Sequence, residues 1–162
     1  MDKQTIVTKD SAGKKLVIVR EFDATPEQVW KAWTESQLLD KWWAPKPWKA
    51  KTKTMEFRAG GSWLYCMVGP DGPGPWCRTD FKTINKPKNF TAIGAFCDEN
   101  GIINQDFPAM YWKNVFSKTS TGTKIEVELS FNAEADLEKI LELGFKEGFT
   151  SALGNLDELL AK

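Results

Sequence analysis

The sequence contains no histidine. That removes the commonest general base and metal ligand. Ser-His-Asp and Cys-His machinery, HExxH metal sites and His-based phosphoryl relays go with it. Catalysis would have to rest on carboxylates, Lys, Arg, Tyr, Cys or bound water. Net charge is also absent, because 22 Lys plus Arg balance 22 Asp plus Glu. A surface that tracks phosphates needs excess cations, so no nucleic-acid partner is expected. The three cysteines, Cys66, Cys77 and Cys97, are odd in number and form no CxxC pair. A disulfide framework is therefore not expected, and a reducing compartment is. No apolar run approaches the ~18 residues of a membrane span. The N-terminal stretch MDKQTIVTKDSAGKK is polar and charged, without the apolar segment of a signal peptide. The expectation is a cytoplasmic protein with no membrane insertion. No Asp/Asn pattern fits a calcium loop, and no Gly-rich loop joins a strand to a helix. Neither a metal nor a nucleotide cofactor is expected.

Aromatic rings are plentiful instead, led by eight Trp and ten Phe. Such rings fill cores, and they also line ligand sites. The 162 residues suit one domain, 1–162, with an ordered core over about 14–160. Residues 14–22 read as a strand around the β-branched run Val17-Ile18-Val19. Thr25, Pro26 and Gln28 then form a helix start, with Thr25 as N-cap. Val29, Trp30 and Trp33 lie on that helix's apolar stripe. Ser36 is expected to cap a second short helix carrying Leu38, Leu39, Trp42 and Trp43, which Pro45 and Pro47 end. From Trp48 to Phe131 the period becomes two, giving six strands. The run 69–75, Gly-Pro-Asp-Gly-Pro-Gly-Pro, reads as a hairpin loop. The last strand is the cleanest, with Ile125, Val127, Leu129 and Phe131 inward. A single long helix is expected over 134–160. Helices segregated from an antiparallel sheet make the fold class α+β.

Gly144 and Gly148 fall inside that expected helix, where each costs roughly 1 kcal/mol relative to Ala. Either the helix packs closely at these points, or the glycines leave space beside Phe145 and Phe149 for a ligand. The expected inward positions of the sheet are Trp63, Tyr65, Met67, Phe81, Phe96, Trp112, Asn114 and Phe116. For any one of them a core role is the simpler reading. Together, large rings with one amide and one phenol fit an apolar pocket with a few orienting polar groups. Asn114 stands out, since a buried amide must find hydrogen-bond partners. Among carboxylates, Asp80 reads as a solvated partner of Arg78 or Lys82, and Glu56 as a contact near the Gly60-Gly61 turn. No catalytic residue and no metal ligand is assigned.

The segments REFDATPEQVWKAWTESQLLDKWWAP (20–45), MEFRAGGSW (55–63), GPDG (69–72) and LGFKEGFTSALGNLDELLA (143–161) resemble the AHSA-type family. These are homologues of the activator of the Hsp-90 ATPase, within the START-like or SRPBCC superfamily. The resemblance covers nearly the whole chain, with the motifs in the right order and spacing. Ala44 and Ala59 replace a Gly and a Pro that are common at those places. The resemblance implies a helix-grip fold, in the order strand, two helices, six strands, helix. It also implies a ligand site between the sheet and the C-terminal helix.

Three functional expectations follow. The first is binding of a small hydrophobic or aromatic molecule. Its site would combine the eight sheet residues named above with Gly144, Phe145, Gly148 and Phe149. The second is a cyclase- or hydrolase-like enzyme using a cavity carboxylate or Tyr, which superfamily analogy alone suggests. The third is a protein-interaction module related to co-chaperones, presenting Trp42, Trp43 and Trp48 as a patch. The eukaryotic activator carries a further N-terminal domain for which this chain has no room, which sets the third expectation below the first.

Overall fold

The computed structural model describes residues 4–10, 12 and 14–161. Among these, the chain forms eight strands and four helices. A short strand, β1 (Ile6–Lys9), precedes the first expected one, β2 (Lys15–Phe22). The polar N-terminal stretch therefore belongs partly to the fold. β1 covers the outer edge of β2, whose other edge pairs with the last strand. An open edge leaves backbone groups unpaired, and pairing it satisfies them.

The helix pair forms as its signals direct. In α1 (Pro26–Thr34), Thr25 Oγ1 accepts from Gln28 N at 3.2 Å, and Gln28 Oε1 accepts from Thr25 N at 2.9 Å. This reciprocal cap satisfies two otherwise unpaired donors. α2 (Ser36–Trp42) starts at Ser36 itself, the residue expected to cap it. Glu35 is the capping residue and makes no side-chain cap bond. α2 is held instead from its middle, where Asp40 Oδ1 accepts from Thr52 N at 3.0 Å and Thr52 Oγ1 at 2.6 Å.

Six strands follow: β3 (Lys49–Met55), β4 (Ser62–Gly69), β5 (Gly72–Asn85), β6 (Asn89–Cys97), β7 (Met110–Lys118) and β8 (Thr123–Ser130). The single antiparallel sheet has the order β1-β2-β8-β7-β6-β5-β4-β3. The expected loop over 69–75 is shorter than its turn residues suggest. Gly69 pairs with Gly72, so Pro73, Gly74 and Pro75 already lie in β5. The two glycines there serve Trp48. A Cβ on Gly69 would come within 2.8 Å of its ring, and one on Gly74 within 2.6 Å. The glycines thus give a flat bed for an indole, as well as a turn.

The expected single C-terminal helix is two helices, α3 (Glu134–Glu142) and α4 (Phe145–Leu160). Gly144 separates them in a left-handed conformation, at φ 88° and ψ 20°. That conformation is costly for side chains with a Cβ and free to Gly, which is why Gly so often ends a helix. The continuous apolar stripe hid the break, because Leu141 and Phe145 both still pack against the core. The core itself lies between the sheet and the helices. Leu16, Ile18, Ile125, Val127 and Leu129 meet Val29, Trp30, Leu137, Ile140, Leu153 and Leu156, all buried. Arg20, also buried on this side, forms an ion pair with Asp157 and ties β2 to α4.

Candidate ligand cavity

The sheet and α4 do not close completely on one another. A cavity of about 360 Å³ remains between β4, β5, β6, β7, the end of α2 and the first turns of α4. This lies within the range of small-molecule sites, roughly 300–1,000 Å³. Four of its walls are the expected sheet residues Tyr65, Met67, Phe96 and Trp112. Phe145, Gly148 and Phe149 form the helix side, with the two Phe rings stacked at 5.4 Å and 17°. At Gly148 a Cβ would meet only Pro45 Cγ, at 3.7 Å. Its missing side chain therefore opens space and does not serve a close backbone approach.

The other expected site residues lie elsewhere. Trp63, Phe81 and Asn114 border a separate inner chamber of about 30 Å³. Trp43 and Trp112, with ring centroids 5.7 Å apart, line both spaces. Phe116 is core, packed edge-on against Trp30 and Trp33. Gly144 is the helix break, and it lines neither space. Period-two alternation identifies the face of the sheet but not the depth along it, which is why it merges the two spaces.

Several lining residues escape that alternation because they lie outside the regular strand pattern. Trp43 and Pro45 follow α2, Trp48 precedes β3, and Leu143 sits at the helix break. Cys77 and Met110 lie on strands, on the same face as Phe81 and Trp112, so alternation points to them as well. Trp48 and Leu143 are partly exposed at the mouth, at 37% and 54%. The expected exposed Trp patch does not form. Trp42 is fully buried, and its Nε1 donates to Ala32 O at 2.8 Å. Trp43 turns into the cavity.

Among the described residues, no charged side chain lines the cavity. Glu56 pairs with Arg58 at 3.2 Å on the exposed surface, and Asp80 with Arg78 at 2.9 Å. The enzyme reading thus has no carboxylate in the cavity. Polar character comes from Tyr65 and Cys77, which face each other across β4 and β5. Trp43 Nε1 donates to the Tyr65 hydroxyl oxygen at 2.8 Å. The Tyr65 ring stacks on Trp63 at 3.9 Å, and Trp63 Nε1 donates in turn to Thr52 Oγ1 at 2.9 Å. The phenol is therefore fixed in place, with its oxygen already accepting one bond. Burial pushes its pKa well above the ordinary value, and neighbouring Cys77 adds to the rise. Burial also pushes the Cys77 thiol up to about 12, against a smaller opposing pull from the neighbouring Tyr65 hydroxyl. Both groups are neutral near pH 7, so Cys77 is not a ready nucleophile.

The raised thiol pKa makes stability depend on alkaline pH. The folded state keeps a proton that the unfolded chain gives up, so this contribution is complete below the thiol's ordinary 9.0. It falls as pH rises toward about 12. Tyr65 acts in the same sense from its ordinary 10.0 upward. Cys77→Val is expected to make Tm fall less steeply between about pH 9 and about pH 10. Equal slopes in the two proteins, followed by circular dichroism, would place the alkaline titration elsewhere.

Residues 23–161 match the family described as activator of Hsp90 ATPase homolog 1-like protein. No curated protein matches the chain. Among solved structures, a protein from Arthrobacter aurescens is similar at 31% identity and a TM-score of 0.90, covering 96% of this chain and 91% of that one. A Mycobacterium smegmatis protein is similar at 27% identity and a TM-score of 0.89, covering 98% and 97%. An AHSA1 protein from Silicibacter pomeroyi shares the fold at 18% identity and a TM-score of 0.73, covering 91% and 97%. With the family match running from the end of β2 to the end of α4 over a helix-grip fold, this chain belongs to the activator of Hsp90 ATPase homolog 1-like family.

Proposed function

We propose that the protein binds a small, neutral, largely aromatic molecule in the cavity between the sheet and α4. The observation that carries this reading is an open, ring-lined cavity of about 360 Å³ with no charged wall among the described residues. A carboxylate or ammonium group would lose its hydration there without gaining a partner, which is costly. A carbonyl or ether oxygen would meet the Tyr65 hydroxyl. Trp43 donates to that hydroxyl's oxygen, which polarises the O–H bond and makes it a better donor. The expected ligand therefore presents rings to Phe145, Phe149 and Trp112 and one acceptor to Tyr65.

Matched probes test this by titration calorimetry. Benzophenone is expected to bind, and diphenylmethane, which lacks the carbonyl, to bind roughly 2- to 10-fold more weakly, as for one hydrogen bond. 4-Benzoylbenzoate, which adds a carboxylate, is expected to bind worst. Tyr65→Phe should bring the first two together without abolishing either. No binding of any probe to folded protein would sink the proposal. Tighter binding of the carboxylate would reverse its account of the cavity.

The co-chaperone reading keeps only its family warrant, since the surface patch it needed is absent. Among the described residues, no helix is long and apolar enough to cross a membrane.

A further inference from the structure

The inner chamber holds an unsolved polar problem. Asn114 is 2% exposed and Trp33 is 3% exposed. Asn114 Oδ1 and Trp33 Nε1 have no hydrogen-bond partner among the described residues. One is an acceptor and the other a donor, and both residues line the same chamber of about 30 Å³. Buried polar groups are almost always paired, so two complementary unpaired groups at one small space need a shared explanation. Three neighbouring indoles differ. Those of Trp42, Trp43 and Trp63 each donate to a protein oxygen at 2.8–2.9 Å. The remaining walls are mostly apolar, including Leu39, Phe81, Phe90 and Ala92, with Thr79 as a further polar residue.

We propose that this chamber is a binding site for one hydroxyl oxygen, which accepts from Trp33 Nε1–H and donates to Asn114 Oδ1. Size and polarity both fit. A buried water needs at least about 10–15 Å³ of such space and two to four polar partners. Trp33 comes from α1 and Asn114 from β7, so the bound oxygen links the first helix to the middle of the sheet. The chemistry is that of an O–H group, supplied by water or by an alcohol reaching past Trp43 and Trp112 from the outer cavity. The site stands on these two residues whether or not the outer cavity binds anything.

A crystal structure of the protein at better than about 1.5 Å, without added ligand, tests it directly. An isolated peak within hydrogen-bond distance of Trp33 Nε1 and Asn114 supports the site and identifies water. A peak continuous with density in the outer cavity also supports it and identifies an alcohol group. A chamber that is dry or closed by a side chain overturns the proposal. In solution, the Trp33 indole proton, assigned with Trp33→Phe, is expected to show a magnetisation-transfer cross-peak to a long-lived hydroxyl or water proton. Asn114→Leu should remove that cross-peak while leaving the Trp42 indole unchanged. A Trp33 cross-peak that survives in a folded Asn114→Leu protein would overturn the shared site. If Asn114→Leu fails to fold, the density and the wild-type cross-peak still decide.

Discussion

Gly148→Leu is expected to lower benzophenone affinity by at least tenfold in a protein that remains folded, whereas Gly148→Ala keeps the affinity and gains stability. The two substitutions separate backbone from cavity. At position 148 an added Cβ meets Pro45 Cγ at 3.7 Å, an ordinary contact, so Ala fits without movement. Ala also removes the helix penalty of Gly, about 1 kcal/mol at most near a helix start. For a chain of this size that is a rise in Tm of roughly 2–4 °C. Leu carries the side chain further, into the space bounded by Phe145, Phe149 and Trp112. It would occupy the place where a bound ring is proposed to lie. If Gly148→Leu stays folded and binds benzophenone as well as the unaltered protein, the probe does not sit against α4. If Gly148→Ala loses stability, the space beside Pro45 is closed in solution.

This pair of substitutions also bears on how the two glycines differ. Both Gly144 and Gly148 look anomalous within one long apolar stripe. The sequence pattern does not distinguish a residue needed for its φ from one needed for its missing side chain. Gly144 is the first kind, at φ 88°, whereas Gly148 is helical and an added Cβ there meets only Pro45 Cγ. The helix break at Gly144 was hidden because α3 and α4 keep their apolar faces on the same core. Other elements were readable because a local signal and the tertiary demand agree. Thr25 and Gln28 close the α1 cap, and Ile125, Val127 and Leu129 of β8 face inward as alternation requires. The cavity was readable only in part. Tyr65, Met67, Phe96 and Trp112 follow from strand alternation. Trp43, Pro45 and Trp48 lie in a segment without a period, and their direction is set by tertiary contacts. One such contact is Asn155 Nδ2 donating to Ala44 O at 2.9 Å. Asn114 was legible as a polar residue on an apolar face, but its separate chamber depends on where the Trp43 and Trp112 rings come to rest.

The adjacent residues Trp42 and Trp43 give the sharpest test of that distinction, because sequence treats them as one motif. Trp42 is wholly enclosed, packs on Trp33 at 5.1 Å and donates to the Ala32 carbonyl. Trp42→Ala is expected to cost about 3–5 kcal/mol, the range for removing a large buried ring. Against a typical domain stability of about 5–15 kcal/mol, that is a large share. Trp43 stands at the cavity wall, within 5.4 Å of Trp63 and 5.9 Å of Phe149, and holds the Tyr65 hydroxyl through its Nε1. Trp43→Phe keeps most of the ring and removes that N–H, so its stability cost should be near that of one hydrogen bond, about 1 kcal/mol. Its larger consequence is on recognition. The Tyr65 proton, no longer polarised by an indole donor, should discriminate benzophenone from diphenylmethane less well. Urea denaturation and calorimetry on the two variants therefore give opposite patterns: a stability loss for Trp42→Ala, and a selectivity loss for Trp43→Phe. Equal stability costs would mean that Trp43 is core and the cavity closes behind it. Unchanged selectivity in Trp43→Phe, with probe still bound, would mean that Tyr65 acts without its indole partner.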